Sequence, residues 1–572
     1  MKINLSDKRL FGPALGFVLV YLSAIVGLFF ATLNTYGSDY SWGDVDFYHQ
    51  GLYNFWNGKL FQTSLYRIPS NGEISSPYAY AHAFTIHMNI MNYLAAFPYK
   101  FLPSLNTFYA IPILYNVLGV ITFCCAMAYC PATPETTIAN PDLKRNVVVL
   151  LVGLFLLWGT FYAAITYKGH APIYATPLFL ASYFFFQRKR YFPFFLCSLA
   201  VCLIQEDCAL WMASYALCLL LLTKRRHFTL YALILISLGY FLIVSFWLQK
   251  DAKWYLDSMQ YRSDLSMTWH VVVLNPLANG SQFVHTLIDD LRLIASNIGF
   301  IAVVLWGMRK YVKPSALEWG LLLIAPFPHY VSLFIGRGGP HHFIPIIGSI
   351  VVVITQMALR AVASQPTGRF IFYVEKRIGL LFGSLLLGTY LLSNFILCLN
   401  GYILMRAYGV LNSAFYNPAK TTANRHVALT IELLLPSSAS LCFWTARDVS
   451  AFIANRSNIW RFPYAFDTTD YLVIQKRVND SFVEFRQPLK DLNLKELAAN
   501  NQDPRTVREF RYCSSMDPCH ILATDTDFFK HLLVDQRDTH RVFYEDMDLL
   551  ILQSKVHHSM YIPPFTERVY WR

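Results

Sequence analysis

From residue 191 to residue 223 the chain reads YFPFFLCSLAVCLIQEDCALWMASYALCLLLLT, with Arg188-Lys-Arg190 directly before it and Lys224-Arg-Arg226 directly after it. One membrane span needs about 20 apolar residues, so this run is too long for a single crossing. Basic clusters that flank spans stay on the cytoplasmic side of a membrane, so both clusters belong on the same side. The stretch is therefore predicted to be a hairpin of two short transmembrane helices with Gln205-Glu-Asp207 at its tip.

The composition extends this membrane interpretation to the whole chain. Of the 572 residues, 55% are hydrophobic and 14% are charged, whereas soluble domains carry about 25% charged residues. The formal net charge is +12, but the basic residues form short clusters between apolar runs. This distribution is typical of cytoplasmic loops and argues against nucleic acid as a partner, because no basic stripe falls on a soluble domain.

The apolar runs and basic clusters together predict a mainly α fold, a polytopic bundle of about eleven spans with the N-terminus inside and the C-terminus outside. The first span is a retained helix, because it is too long for a signal-peptide core and no A-x-A cleavage site follows. Residues 83–103 are apolar but interrupted by polar side chains, so they are predicted to form an interfacial helix. The spans are predicted near residues 10–33, 106–129, 146–166, 171–187, 191–222 (two), 228–249, 291–308, one ending at 336, one ending at 360, and 378–404.

The chain divides into two predicted domains. Residues 1–406 form the transmembrane module, whose first external loop spans residues 33–105. Residues 407–572 are polar enough to form a small external α/β domain, in which Cys513 and Cys519 could form a disulfide. Its predicted elements are strands at 441–445 and 470–474, an extended segment at 458–463, a short helix at 447–454, and a hairpin of 540–544 with 549–553.

Polar side chains that suit chemistry gather on the external side of this topology. Carboxylates close to hydrocarbon are unfavourable unless they serve a function, although a solvated loop within an aromatic belt is the alternative for the first pair. An ionised carboxylate suits a general base and equally an oxygen ligand of Mg²⁺ or Mn²⁺. The candidates are Asp44, Asp46, His87, His170, Glu206, Asp207, Arg337, His341 and His342.

The candidates outside the first loop have structural alternatives. The guanidinium of Arg337 suits a lipid phosphate, or it simply extends to the interface. His341 and His342 are adjacent, so their side chains diverge and one metal cannot readily take both. His170 lies in a predicted tight turn. Glu206 and Asp207 interrupt an apolar run, which is unfavourable unless they are solvated or paired.

Several short motifs resemble those of DUF2079, a family of predicted membrane proteins that looks like the GT-C superfamily of polyprenyl-phosphate-sugar-dependent glycosyltransferases. Two departures from the family pattern are Gln205, where the family has Lys, and the Met-Asn pair after His87. The resembling motifs are Asp44-Val-Asp-Phe-Tyr-His-Gln50, Leu52-Tyr-Asn-Phe-Trp56 with Gly58, His87 to Pro98, Gly169-His-Ala-Pro172, Gln205-Glu-Asp207 and, in the tail, Leu435 to Ser440, Asn455-Arg456, Asn458 to Pro463 and Asp470 to Ile474.

The resemblance implies a GT-C-like fold in a bacterial inner membrane, with the C-terminal domain in the periplasm. It implies Asp44 as the catalytic base, with Asp46 as second candidate or metal ligand. The implied donor is a polyprenyl-phosphate-linked sugar, so no nucleotide site is expected, and the acceptor is an envelope lipid, glycan or protein. The substrate-binding candidates are Gln50, His87, His170, Glu206, Asp207, Arg337, His341 and His342.

Two other functions remain open at this point. A transporter or flippase of a lipid-linked precursor is one, although such proteins often show paired repeats and charged residues deep within spans, and the sequence shows neither. A non-catalytic envelope assembly protein, with the tail as its binding module, is the other.

Overall fold

The computed structural model describes residues 45–59, 62–63, 81–82, 89–132, 134–138, 141–156, 171–223, 225–245, 312–334, 344–364, 418–444, 449, 452–461, 469–475, 540–546 and 549–555. Within these ranges the chain is mainly helical, with a small sheet near the C-terminus, which confirms the predicted fold class at this level. The spans predicted at 10–33, 291–308 and 378–404 lie outside the described residues, as do Cys513 and Cys519.

The first described helix is α1 (Val45–Trp56). We call the helices described between residues 90 and 363 the helical module. Short 3₁₀ turns at Phe97–Lys100, Pro134–Thr136 and Ala171–Tyr174 connect some of its members. A two-stranded antiparallel ladder, β1 (Gln62–Thr63) with β2 (Ala81–His82), follows α1. The helices are α1 (Val45–Trp56), α2 (Ile90–Ala95), α3 (Leu105–Tyr129), α4 (Pro141–Leu156), α5 (Ala175–Gln187), α6 (Tyr191–Cys202), α7 (Glu206–Leu222), α8 (Phe228–Ile243), α9 (Ala316–Leu323), α10 (Phe327–Phe334) and α11 (Ile344–Ala363).

Two of the described helices, α3 and α11, are long and apolar enough to cross a membrane, and α6 and α8 are shorter apolar helices. The outward side of α8 carries large apolar side chains, such as Leu235 with 71% of its surface exposed and Phe228 with 72%. A contiguous apolar surface of this kind is typical of a lipid-facing helix. The total of about eleven spans stays a prediction.

Several predicted elements are confirmed. The run from 191 to 222 is a helical hairpin, α6 and α7, with its turn at Leu203–Gln205. Residues 89–104 do not form a crossing helix, because α2 has six residues and a 3₁₀ turn follows it. This segment leaves Phe97, Phe101 and Leu102 exposed, as expected of an interfacial element.

Two predicted spans differ from the structure. Helix α4 starts at Pro141, so Lys144 and Arg145 lie within the helix rather than before it. The span ending at 336 was expected to be continuous, but α9 and α10 are separate helices with a turn between them. Pro326 explains this break, because proline donates no backbone hydrogen bond and disfavours the helical conformation of the residue before it.

Small residues allow the central helices to approach closely. An ideal Cβ placed on Gly119 of α3 would lie 2.7 Å from Pro177 Cβ on α5, and one on Gly348 of α11 would lie 2.9 Å from Phe179 Cδ1 on α5. Asn116 of α3 donates to the Ile173 carbonyl at 2.8 Å. The contact of Asn116 with Ile173 is followed, one turn later on both segments, by the contact of Gly119 with Pro177. Helices α3 and α5 therefore run in the same direction.

Basic residues gather at one end of the helical module. Arg225 donates to the carbonyls of Phe186 and Gln187, and Arg188 donates to the Pro131 carbonyl. His227 stacks on Tyr191 with the ring centroids 3.8 Å apart. The N-terminal ends of α3, α5 and α7 therefore lie at the opposite end, away from this basic end.

The C-terminal part forms a five-stranded mixed sheet. In chain order its strands are β3 (441–444), β4 (459–461), β5 (471–475), β6 (540–545) and β7 (549–554), and in the sheet their order is β4-β3-β5-β7-β6. Strand β3 is parallel to β4 and β5, whereas β7 is antiparallel to β5 and β6. The predicted strands and the hairpin are confirmed, but the helix before β3 was not predicted. The elements are α12 (Pro418–Leu434), β3 (Leu441–Trp444), β4 (Ile459–Arg461), β5 (Tyr471–Gln475), β6 (His540–Glu545) and β7 (Leu549–Ser554).

The sheet encloses its own apolar core. All residues of β5 and β7 are buried, as expected of central strands with continuous apolar sequences. The Asp470 carboxylate accepts hydrogen bonds from the Ser440 amide and hydroxyl, both at 2.8 Å, which ties the start of β3 to the start of β5. Of the predicted helix at 447–454, the structure describes Val449, Phe452 and Ile453 as helical.

Candidate functional site

Helix α1 packs one side against the helical module. The His49 ring is fully buried, 5.4 Å from the Tyr99 and Phe108 rings between centroids. Phe55 stacks on Tyr93 of α2 at 5.1 Å. An ideal Cβ on Gly51 would lie 2.8 Å from the Tyr93 hydroxyl oxygen, so glycine permits this close approach of α1 to α2.

The other side of α1 contacts the C-terminal domain. The Gln50 side chain is fully buried, and its Nε2 donates to the carbonyls of Arg456 at 3.2 Å and Ser457 at 3.3 Å. The Lys59 ammonium donates to Asn458 Oδ1 at 3.2 Å. Nothing in the local sequence predicted this contact, because it joins residues about 400 positions apart.

The hairpin between α6 and α7 lies beside α2, because the Met91 amide donates to the Leu203 carbonyl at 3.1 Å. Gln205 is the extended residue before α7. Of the predicted tip, Gln205-Glu-Asp207, only Gln205 lies in the turn, and Glu206 and Asp207 form the first turn of the helix. Glu206 is only 6% exposed and Asp207 is half-buried. Acidic residues at a helix N-terminus are favoured by the helix dipole.

The structure thus brings together two of the predicted groups, α1 with Gln50 and the start of α7 with Glu206 and Asp207, on either side of α2. Asp46 lies in α1, one turn before Gln50, and its side chain is outside the described set. Asp44 lies just before the described part of α1. His87, His170, Arg337, His341 and His342 also lie outside the described residues.

Chain connectivity places some of these undescribed residues next to described elements. Residue 170 directly precedes the 3₁₀ turn Ala171–Tyr174, which contacts α2. Residues 337–342 connect the end of α10 to the start of α11.

One residue near the start of α7 was missed by the sequence interpretation. His329 of α10 is buried, and its ring centroid is 6.3 Å from that of Trp211. Its Nδ1 has no hydrogen-bond partner among the described residues. A histidine directly after Pro326-Phe-Pro328, in an otherwise apolar span, was the available signal.

The charges at the contact with the C-terminal domain are partly desolvated. Burial lowers the pKa of Lys59. Burial also lowers the pKa of Arg456, and the nearby Glu432 and Tyr53 side chains oppose that effect. The Arg456 guanidinium donates to the carbonyls of Leu435 and Pro436, so it remains hydrogen-bonded within the domain.

Residues 40–497 match the model of a family described as predicted membrane protein (DUF2079). The chain belongs to the DUF2079 family. No curated protein matches the chain. The matched region of this DUF2079 protein includes α1, the helical module and strands β3 to β5, whereas the β6–β7 hairpin lies beyond it.

A metal site in this DUF2079 protein stays a prediction. Among the described residues no group of three His, Cys, Asp or Glu side chains could hold a metal ion. The predicted ligands, Asp44 and Asp46, have side chains outside that set. Their carboxylate oxygens are the ligand type that Mg²⁺ or Mn²⁺ prefers.

Proposed function

We propose that this membrane protein is a GT-C-type glycosyltransferase of the bacterial inner membrane. It transfers a sugar from a polyprenyl-phosphate donor to an envelope lipid, glycan or protein on the periplasmic face. Asp44 is the general base that deprotonates the acceptor, and Asp46 is a supporting residue or a metal ligand.

The observation that carries this proposal is the convergence of α1, α2 and the first turn of α7 at one end of the helical module. The basic residues gather at the opposite end. Since basic residues favour the cytoplasmic side, the convergent end belongs on the external side. A lipid-linked donor presents its phosphate and sugar at that depth, next to the acidic residues.

The remaining candidates receive roles from their chemistry. Arg337, with His341 or His342, binds the leaving phosphate, because guanidinium and imidazolium groups donate to phosphate oxygens. Glu206 and Asp207 accept hydrogen bonds from sugar hydroxyls, and His87 and His170 are further substrate-binding candidates. In this proposal the acceptor attacks the anomeric carbon, its proton passes to Asp44, and the polyprenyl phosphate leaves with inversion.

The test is transfer of radiolabelled sugar in membrane vesicles that contain the full-length protein and a polyprenyl-phosphate-sugar extract from native membranes. We expect Asp44→Asn to reduce transfer by about 10²-fold or more, because general-base catalysis contributes 10²–10⁴-fold. Asn57→Ala is the control, since Asn57 is an exposed residue directly after the C-terminal end of α1. Unchanged turnover in Asp44→Asn would reject the assignment.

A flippase of a lipid-linked precursor is the second candidate, and one specific observation favours it. The α9–α10 pair is a broken helix with the buried His329 just after the break, and discontinuous helices often form transporter sites. Translocation of a fluorescent polyprenyl-phosphate sugar across proteoliposomes, without sugar transfer, would support the flippase instead.

A further inference from the structure

Helix α1 lies between two separate hydrophobic cores. On one side, Tyr48 and Leu52 belong to the core of the helical module. On the other side, Gln50 reaches the C-terminal domain, whose core is formed by α12 and the sheet. Phe452 packs against both cores, so the two parts are joined beside α1 by apolar as well as polar contacts.

The surface that Gln50 meets is a short segment, Arg456-Ser457-Asn458, which we call the docking segment. It leads directly into β4, and the Asn458 carbonyl accepts from the Leu441 amide of β3 at 2.8 Å. At its other end the Arg456 guanidinium donates to Leu435 and Pro436 carbonyls, next to the end of α12. The docking segment is therefore fixed by the sheet and by α12.

The Gln50 contact is directional. One amide nitrogen donates to two adjacent backbone carbonyls, and a buried carbonyl without a donor is unfavourable. The contact therefore specifies a donor at this position of α1 rather than any side chain of similar size. Position 46 lies one helical turn before position 50. A contact that holds Gln50 in place therefore also holds the start of α1 in place.

We propose that the C-terminal domain positions α1, and that Gln50 is the positioning residue that docks α1 on the docking segment. The domain then fixes the N-terminal turn of α1, where Asp46 lies and which Asp44 precedes, against the helical module. This inference concerns the arrangement of α1 and does not depend on which reaction the protein catalyses.

The test is amide hydrogen exchange of the full-length protein in lipid nanodiscs. In Gln50→Leu we expect roughly tenfold faster exchange of the α1 amides, because the hydrogen bonds to the buried Arg456 carbonyl and the half-buried Ser457 carbonyl are lost. Exchange in α5 and α6 should stay at the wild-type rate. Wild-type exchange of α1 in this variant would overturn the proposal.

Gln50→Glu separates hydrogen-bond donation from packing and carries the test even if Gln50→Leu does not fold. At pH 8 the ionised carboxylate cannot donate to the two carbonyls, so α1 should exchange faster than in the wild type at the same pH. As the pH falls through the pKa of the introduced carboxyl group, its hydroxyl donates again and protection of α1 should return. Gln50→Leu should show no such recovery.

The surrounding charges are the same in both variants. Among the described residues, Arg456, Lys59, Glu432 and the Tyr53 phenol are ionisable groups around the docking segment, and comparing the two variants at each pH separates their titration from that of the introduced carboxyl group. Asn57→Asp is the control, because the exposed Asn57 side-chain amide donates to the Tyr53 carbonyl of its own helix rather than to the docking segment. If the α1 amides of Gln50→Glu at pH 8 exchanged as slowly as those of the wild type, the role of Gln50 as a hydrogen-bond donor would be contradicted.

Discussion

At the residue scale, the buried carboxylate of Glu318 shows how polar groups are accommodated at the basic end. Glu318 is 1% exposed, and its Oε2 accepts from the Ser315 amide, the Ser315 hydroxyl and the Arg360 guanidinium. The same carboxylate therefore caps α9 and pairs with α11. Glu318 thereby joins α9 to Arg360 of α11, which is 42 positions away in the sequence.

We expect Glu318→Ala to destabilise the protein by about 2–4 kcal/mol, because it removes a helix cap and leaves Arg360 without its anionic partner. The measurement is thermal unfolding of the full-length protein in detergent. Glu135→Ala is the control, since Glu135 is exposed in the 3₁₀ turn at Pro134–Thr136. Equal melting temperatures for the Glu318→Ala variant and the wild type would show that the pair adds no net stability.

At the element scale, the contact between α3 and α5 depends on a single missing side chain. We expect Gly119→Ala to destabilise the helical module by about 1–3 kcal/mol, because the added Cβ would lie 2.9 Å from Pro177 Cγ and 3.1 Å from Pro177 Cα. The rigid proline ring and backbone cannot rotate away. Thermal unfolding in detergent measures the change.

Gly239→Ala in α8 is the matched control, because nothing lies within 4 Å of an added Cβ there. Alanine also favours the helix by about 0.5–1 kcal/mol over glycine. This variant should therefore be as stable as the wild type or slightly more stable. A loss of stability equal to that of Gly119→Ala would refute the close-packing explanation.

The sequence predicted those elements whose signals are local. The long apolar run of α3 and the basic clusters around the α6–α7 hairpin set those helices to within a few residues. The break at Pro326 was missed because the hydropathy of the run does not change there. Helix α12 was missed because its sequence, PAKTTANRHVALTIELL, has few apolar residues in its first half.

The candidate site was predictable as a set of residue types but not as a set of contacts. Glu206 was recognised as an unusual carboxylate, yet its burial was not predicted, nor was the contact between α2 and the hairpin turn. Gln50 was selected from a motif, whereas its bonds to the docking segment join distant parts of the chain. Long-range contacts of this kind leave no periodic pattern in the sequence.

At the scale of the whole molecule, the two ends of the helical module should face opposite sides of the membrane. We expect a membrane-impermeant maleimide to label Asn57→Cys in intact spheroplasts, because Asn57 is exposed at the end of α1. The native Cys130 is exposed after α3 at the basic end, so it should be labelled only after permeabilisation. Peptide mapping by mass spectrometry assigns each label to its cysteine.

The reverse pattern would invert the proposed orientation. Labelling of Cys130 in intact spheroplasts, with Asn57→Cys protected, would put α1 and the C-terminal domain in the cytoplasm. A periplasmic lipid-linked donor could not then reach the acidic residues near α1, so this outcome would also remove the basis for the proposed reaction.

The contact between Gln50 and Arg456 also has a consequence for biogenesis, because the two residues are 406 positions apart. Ribosomes add about 5–20 residues per second, so roughly 20–80 s pass between the synthesis of α1 and that of the docking segment. During that interval the helical module can insert into the membrane while α1 lacks its contact with the C-terminal domain. The contact between α1 and the docking segment can then form only after the C-terminal domain has been translated.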